Sequence, residues 1–288
     1  MKYFPPTELA LNSKGEVYHL GLLPEQLAEK IILVGDQDRV ALVSSFFDHI
    51  EFTSRHREFV CQTGLYKGKR ITALSTGIGT DNIDITINEI DALVNINLKT
   101  RTEKPNKTSL EIVRIGTCGI LQASIPLHSH IISDYAFGLD NVAHFYEIAF
   151  SEREKFLAEE LSAFIKLPNT IHPYAVGSDE TLSNRLHTPH TFSGITITSS
   201  GFYGPQGRQL RLPTRTADIQ LKFGEFEMNG LLVCNFEMES SALFSLGRAL
   251  GHRCATICLG VANRPKQVFS AGYNTEMLGL IENVLNQI

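Results

Sequence analysis

Short runs of apolar, β-branched residues alternate along this chain with longer stretches of helical period. That rhythm restricts it to an α/β fold on a largely parallel or mixed sheet. Strands are expected at Ile31–Val34, Phe59–Thr63, Arg70–Ser75, Glu111–Ile115, Ile195–Ser199, Leu232–Phe236 and Ala255–Gly260, with Tyr66-Lys67-Gly68-Lys69 as a hairpin turn. Helical segments are Asp38–Phe47, Asn82–Leu98, Glu152–Lys166, Thr216–Met228, Glu239–Leu250 and Asn274–Gln287, each flanked by Gly, Asn, Asp or Ser. Lys99–Ser109 and Val176–Gly194 read as loops. Periodic structure resumes on both sides of each, so neither is a linker, and residues 1–288 read as a single domain.

With 288 residues and 43% hydrophobic content, the chain can bury a full core. Its net charge of −5 lacks the basic bias of a nucleic-acid binder, so any anion site must be built locally. The five cysteines form no C-x-x-C pair and lie mostly in apolar runs, as buried thiols of a reducing compartment do. The N-terminal MKYFPPTELALNSKGEVYHLG has no apolar core of a signal peptide, and no stretch reaches the roughly 18 apolar residues of a membrane span. The expectation is a cytoplasmic protein without a membrane or nucleic-acid partner.

Two strand ends carry anion chemistry. Ile31-Ile32-Leu33-Val34 runs into Gly35-Asp36-Gln37-Asp38-Arg39 and a helix, which aims free amide groups and the positive end of a helix dipole at one point. Ile112-Val113-Arg114-Ile115-Gly116-Thr117-Cys118-Gly119 places an arginine inside a buried strand. An unpartnered buried guanidinium costs several kcal/mol, so Arg114 must meet a carboxylate or a bound anion.

These segments, with His56-Arg57-Glu58-Phe59, Ser75-Thr76-Gly77-Ile78-Gly79 and Asn235-Phe236-Glu237-Met238-Glu239-Ser240, occur in the order seen in the nucleoside phosphorylase superfamily of the uridine phosphorylase type. The resemblance runs from Val17-Tyr18-His19-Leu20-Gly21-Leu22 to Asn263-Arg264. It implies a three-layer α/β/α sandwich around a mixed, partly barrel-like sheet, and phosphorolysis of uridine to uracil and ribose 1-phosphate. Gly35, Arg39, Arg114 and Thr117 would hold phosphate, with Arg57 reaching in from a neighbouring subunit. Charge-assisted donors of this kind suit phosphate far better than water, which favours phosphorolysis over nucleosidase hydrolysis. Glu239, Met238 and Glu237 would hold the ribose, with His19 lent by the neighbour. The unit implied is a homo-oligomer with a dimer as its minimum and a hexamer as the family's usual form. Inorganic phosphate is a co-substrate rather than a cofactor; Glu58 is the residue the family would place beside a K+ ion at the dimer interface.

For the base, Phe202, Gln206 and Arg208 keep the spacing by which uridine phosphorylases stack on uracil and bond its carbonyl and imide edge, with Gly119 and Arg264 alongside. Asn263 stands where purine-specific relatives carry a proton-donating Asp, which argues against a purine. In this scheme Arg114, Thr117, Glu239, Arg208 and Gln206 are catalytic, and Arg114→Ala abolishes phosphate-dependent turnover while sparing the fold. Departures from the pattern include Gln37 for a Pro, Leu127-His128-Ser129-His130 for a Val-Gly-Asp turn, and Cys118 for a Thr or Ser. Rival readings are a purine nucleoside phosphorylase or nucleosidase, a non-catalytic nucleoside-binding protein, and a Cys118 nucleophile with His172, His187 or His190 as base.

Overall fold

The structure, a computed structural model, describes residues 2–216 and 218–288. The chain opens with β1 (Lys30–Val34), α1 (Gln37–Ser44), β2 (His49–His56), β3 (Phe59–Tyr66), β4 (Lys69–Ser75) and α2 (Thr80–Asn95). A small hairpin follows, β5 (Ile96–Asn97) and β6 (Thr102–Glu103), then β7 (Glu111–Ile120) and β8 (His130–Gly138). Next come α3 (Glu152–Ile165), β9 (Tyr174–Gly177), α4 (Glu180–Leu186), β10 (Thr191–Thr198) and α5 (Ile219–Glu225). The chain ends with β11 (Glu227–Met228), β12 (Leu231–Glu237), α6 (Ser240–Ala249), β13 (Arg253–Asn263), β14 (Val268–Phe269) and α7 (Asn274–Gln287).

β1 is apolar nearly throughout because it lies between β4 and β7, parallel to both and without a solvent-facing side. β7 is longer. Its first half pairs with β1, β13 runs parallel to its whole length, and at Gly119 and Ile120 it also pairs antiparallel with Phe236 and Asn235 of β12. That last pairing closes β7, β13, β8, β10 and β12 into a five-stranded ring, so one end of the sheet is a small barrel while β1, β4, β3 and β2 extend from it.

Helices cover both faces. α2 buries Ile83, Ile87, Ile90 and Leu93, the stripe expected of helical period, and packs with α6 over one apolar cluster. α1, α4 and α7 pack on the other face, where Met277, Leu280, Ile281, Val284 and Leu285 of α7 are buried. The expected α/β/α architecture with a partly barrel-like sheet is what the chain adopts. Among the described residues no helix is long and apolar enough to cross a membrane.

Local expectations fail in several places. Val176–Gly194 is not a loop: it holds the end of β9, all of α4 and the start of β10. α4 is a short helix rich in Ser, Thr and Asn, and it is started by Asp179, whose side chain accepts the Leu182 N–H at 2.8 Å. Strands β2 and β8 were not anticipated. β2 is a mostly exposed edge strand, and β8 buries a Ser133 that hydrogen-bonds Thr196 in β10 at 2.6 Å, so a ring partner satisfies the polar group that hid the strand. Of the helix expected over Thr216–Met228, only α5 forms among the described residues; Ala217 lies outside them.

Candidate active site

A cavity of about 740 Å³ opens where the C-terminal ends of β1, β4, β7 and β12 converge, the place where α/β sheets present loops and helix N-termini to ligands. It is lined at one end by Gly35, Arg39, Arg114 and Thr117, along one wall by Glu237, Met238 and Glu239, and at the other end by Gly119, Phe202, Gln206 and Arg208. Glu58 also reaches it.

Arg114 organises the centre. Its guanidinium pairs with Glu239 through one nitrogen and lies 3.3 Å from Glu237 through the other, which also donates to Cys258 Sγ at 3.6 Å. Burial alone would favour the neutral arginine, but Glu239 and Glu237 outweigh it and hold Arg114 firmly as the cation. One guanidinium cannot neutralise two carboxylates. Burial raises the Glu239 pKa, Arg114 pulls it back, and Glu237 adds to the rise, so Glu239 sits above the ordinary carboxylate value. The second Glu239 oxygen accepts the Gly79 N–H at 2.7 Å. That amide is free because Gly79 begins α2 at φ 96 with no side-chain cap, and Gly77 two residues earlier leaves no room for a Cβ, which would meet Asn82 Nδ2 at 2.5 Å.

Glu237 is a support rather than a free ligand. It accepts the Glu239 N–H at 2.9 Å, the Ser240 N–H at 3.0 Å and the Thr198 hydroxyl at 2.5 Å. Glutamates two apart therefore divide the work, one bracing the start of α6 and the other turned to the cavity.

Arg39 is also buried, 8% exposed; one N–H reaches the Ile115 carbonyl at 3.4 Å, and among the described residues no carboxylate pairs with it. Burial lowers its pKa and nearby Arg114 adds to the fall, while Tyr273 and Asp36 offset part of it. At the far end the Arg208 guanidinium lies 3.8 Å from the Phe202 ring centroid and donates to the Phe202 carbonyl at 2.7 Å and to Gln206 Oε1. Burial and the neighbouring Arg264 bring its pKa down to about 10, still a cation at neutral pH but a poorly compensated one.

Not every expected residue enters the cavity. His19 and Arg57 come together on the outer surface: the Arg57 guanidinium lies 5.6 Å from the Tyr18 ring, and His56 Nδ1 is 2.8 Å from the His19 carbonyl. His19 Nδ1 is 2.6 Å from Glu89 of α2. Arg264 lies behind Arg208, in an adjoining cavity. Asn263 is turned away from the base end, donating to the carbonyls of Gln122 at 3.2 Å and Ile125 at 2.9 Å, so its amide secures the loop after β7. Sequence reasoning missed Asn82 and Phe269 at the rim, and the supporting Thr198. Cys118 lines the cavity, but burial and its contact with Cys258 push its thiol well above the usual range, which disarms it as a nucleophile. His172, His187 and His190 are exposed, and among the described residues no metal-binding group of His, Cys, Asp and Glu forms.

The family model described as the phosphorylase superfamily matches residues 29–275. The chain belongs to the phosphorylase superfamily. Among superfamily relatives, a uridine phosphorylase from Thermococcus kodakarensis is 29% identical over 272 residues, covering 92% of this chain and 84% of that protein. A uridine phosphorylase from Escherichia coli is 28% identical, covering 88% of this chain and 89% of that one. The crystal structure of a Trypanosoma brucei nucleoside phosphorylase that shows uridine phosphorylase activity matches with a TM-score of 0.87 at 27% identity, over 97% of this phosphorylase chain and all of the other.

Proposed function

We propose that this phosphorylase cleaves uridine with inorganic phosphate to give uracil and ribose 1-phosphate. The observation that carries the reading is Arg39, a buried guanidinium without a carboxylate, facing the same end of the cavity as Arg114 and Thr117. Water would leave that charge uncompensated; a phosphate dianion completes it.

In this reading phosphate rests against Gly35, Arg39, Arg114 and Thr117, and one of its oxygens attacks the anomeric carbon. The glycosidic bond breaks with its electron pair going to the base. Glu239 accepts hydrogen bonds from the ribose hydroxyls and, as a carboxylate, balances the positive charge that builds on the sugar. Phe202 stacks on the uracil, while Gln206 and Arg208 meet its carbonyl edge and stabilise the departing anion, so no strong general acid is required.

The outward patch of His19 and Arg57 completes the site only in a second copy of the chain, so the proposed unit is at least a homodimer, acting in the cytoplasm. Glu58 offers a single carboxylate. A monovalent cation there would be held only if a second copy brought its own Glu58 to the same point.

The reading is tested by incubating the protein with phosphate and, separately, uridine, deoxyuridine, thymidine and inosine. Release of uracil from uridine is expected; release of hypoxanthine from inosine without uracil from uridine would overturn the base assignment.

A further inference from the structure

The turn between β7 and β8 contains His128 at φ 65, a left-handed conformation unfavourable for any residue with a Cβ. Such a conformation persists where the surrounding contacts hold it in place. The His128 N–H donates to the Gly260 carbonyl at 2.8 Å, Nδ1 lies 3.3 Å from Glu276 in the first turn of α7, and Nε2 lies 2.7 Å from Ser270 Oγ. Ser270 Oγ donates to the Gly272 carbonyl at 2.8 Å, which leaves it to accept from the His128 ring.

Ser270 follows directly on β14, and its N–H donates to Val261 of β13 at 2.8 Å. In that hairpin Phe269 pairs with Ala262 and projects to the cavity, which it lines while remaining 67% exposed. Little packs on the outer side of the Phe269 ring. Its place at the mouth therefore depends on how the backbone is anchored one residue later.

We propose that His128 is a positioning residue: through Ser270 it fixes the β13–β14 hairpin so that Phe269 stands at the cavity mouth against the bound nucleoside. This deepens the function proposed above and rests on it. Glu276, His128 and Ser270 also follow the order of an orienting acid, a base and a nucleophile. Ser270 is only 8% exposed and lines none of the described cavities, so no substrate can approach it, and the trio acts as a latch.

The test compares wild type with His128→Gly, Phe269→Ala and the double variant in phosphate-dependent uridine cleavage. Glycine suits the left-handed turn, so His128→Gly should fold and melt close to wild type. Loss of one hydrogen-bonded anchor should raise KM for uridine about five- to tenfold, with KM for phosphate unchanged. Phe269→Ala should do the same, and the double variant should be no worse than either. An unchanged KM for uridine in His128→Gly, or effects that multiply in the double variant, would overturn the proposal.

A second arm needs no turnover. The chain contains no tryptophan, so Phe269→Trp introduces a sole indole reporter. Its fluorescence anisotropy should fall when His128→Gly is added; an unchanged anisotropy would refute the latch even if uridine proved not to be the substrate.

Discussion

Arg114 and Glu239 form an ion pair inside the cavity in which neither side chain exposes more than 5% of its surface. The pair joins the middle of β7 to the start of α6, so the groups proposed to meet phosphate and ribose are also part of what holds those elements together.

Arg114→Ala is consequently both a functional and a structural lesion, and the expectation that it spares the fold does not survive the geometry. Removing the guanidinium leaves Glu237 and Glu239 buried without a countercharge, which should cost about 3–5 kcal/mol in urea denaturation. Activity in the folded fraction should drop by roughly 10²–10³ in kcat. Near-normal turnover would remove Arg114 from the mechanism.

The raised Glu239 carboxyl sets a pH limit. Because burial and Glu237 lift its pKa against the pull of Arg114, the carboxylate is lost, as pH falls, before a free glutamate of pKa about 4.3 would be. Activity requiring that charge is full at higher pH and declines on acidification. A profile of kcat/KM should show an acid limb above the ordinary glutamate value that is missing from the weak residual activity of Glu239→Gln. The same limb in both proteins would assign it to another group.

At the base end, Arg208→Ala should lower kcat/KM for uridine by about ten- to a hundredfold, the worth of a charged hydrogen bond of about 1.5–3 kcal/mol. Arg208→Lys should restore little, because a compact ammonium cannot both reach the Phe202 ring, whose centroid lies 3.8 Å from the guanidinium carbon, and offer the same fork of donors. Steady-state kinetics at fixed phosphate would check both.

The outward position of Arg57 predicts complementation. Arg57→Ala and Glu239→Gln should each be nearly inactive alone, yet a co-expressed hybrid should regain activity, since one of its two sites then has an intact Glu239 and a neighbour's intact Arg57. Activity no greater than the sum of the parents would place Arg57 outside the neighbouring site.

Much of this was legible in the sequence, for physical reasons. Arg114 in an apolar strand announced a carboxylate or an anion, and the structure supplies Glu239 and Glu237. Gly35 and Glu239 lie just beyond the ends of β1 and β12, and Thr117 lies in the second half of β7 where these strands converge, so linear motifs become one cavity. What stayed hidden was polar structure satisfied at long range. Ser133 concealed β8 because its partner Thr196 lies in another strand, and Thr198 gave no sign that its hydroxyl would serve Glu237. Asn263 could be read only as the lack of a proton-donating Asp, because sequence position does not show that its amide is spent on the carbonyls of Gln122 and Ile125.

Whether phosphate or water takes the sugar is decided by following uridine cleavage in phosphate-free buffer and again with added phosphate while monitoring the product by phosphorus NMR. Cleavage should be negligible without phosphate and, with it, ribose 1-phosphate should form in step with uracil. Equal cleavage in both buffers, with free ribose as the sugar product, would contradict phosphorolysis.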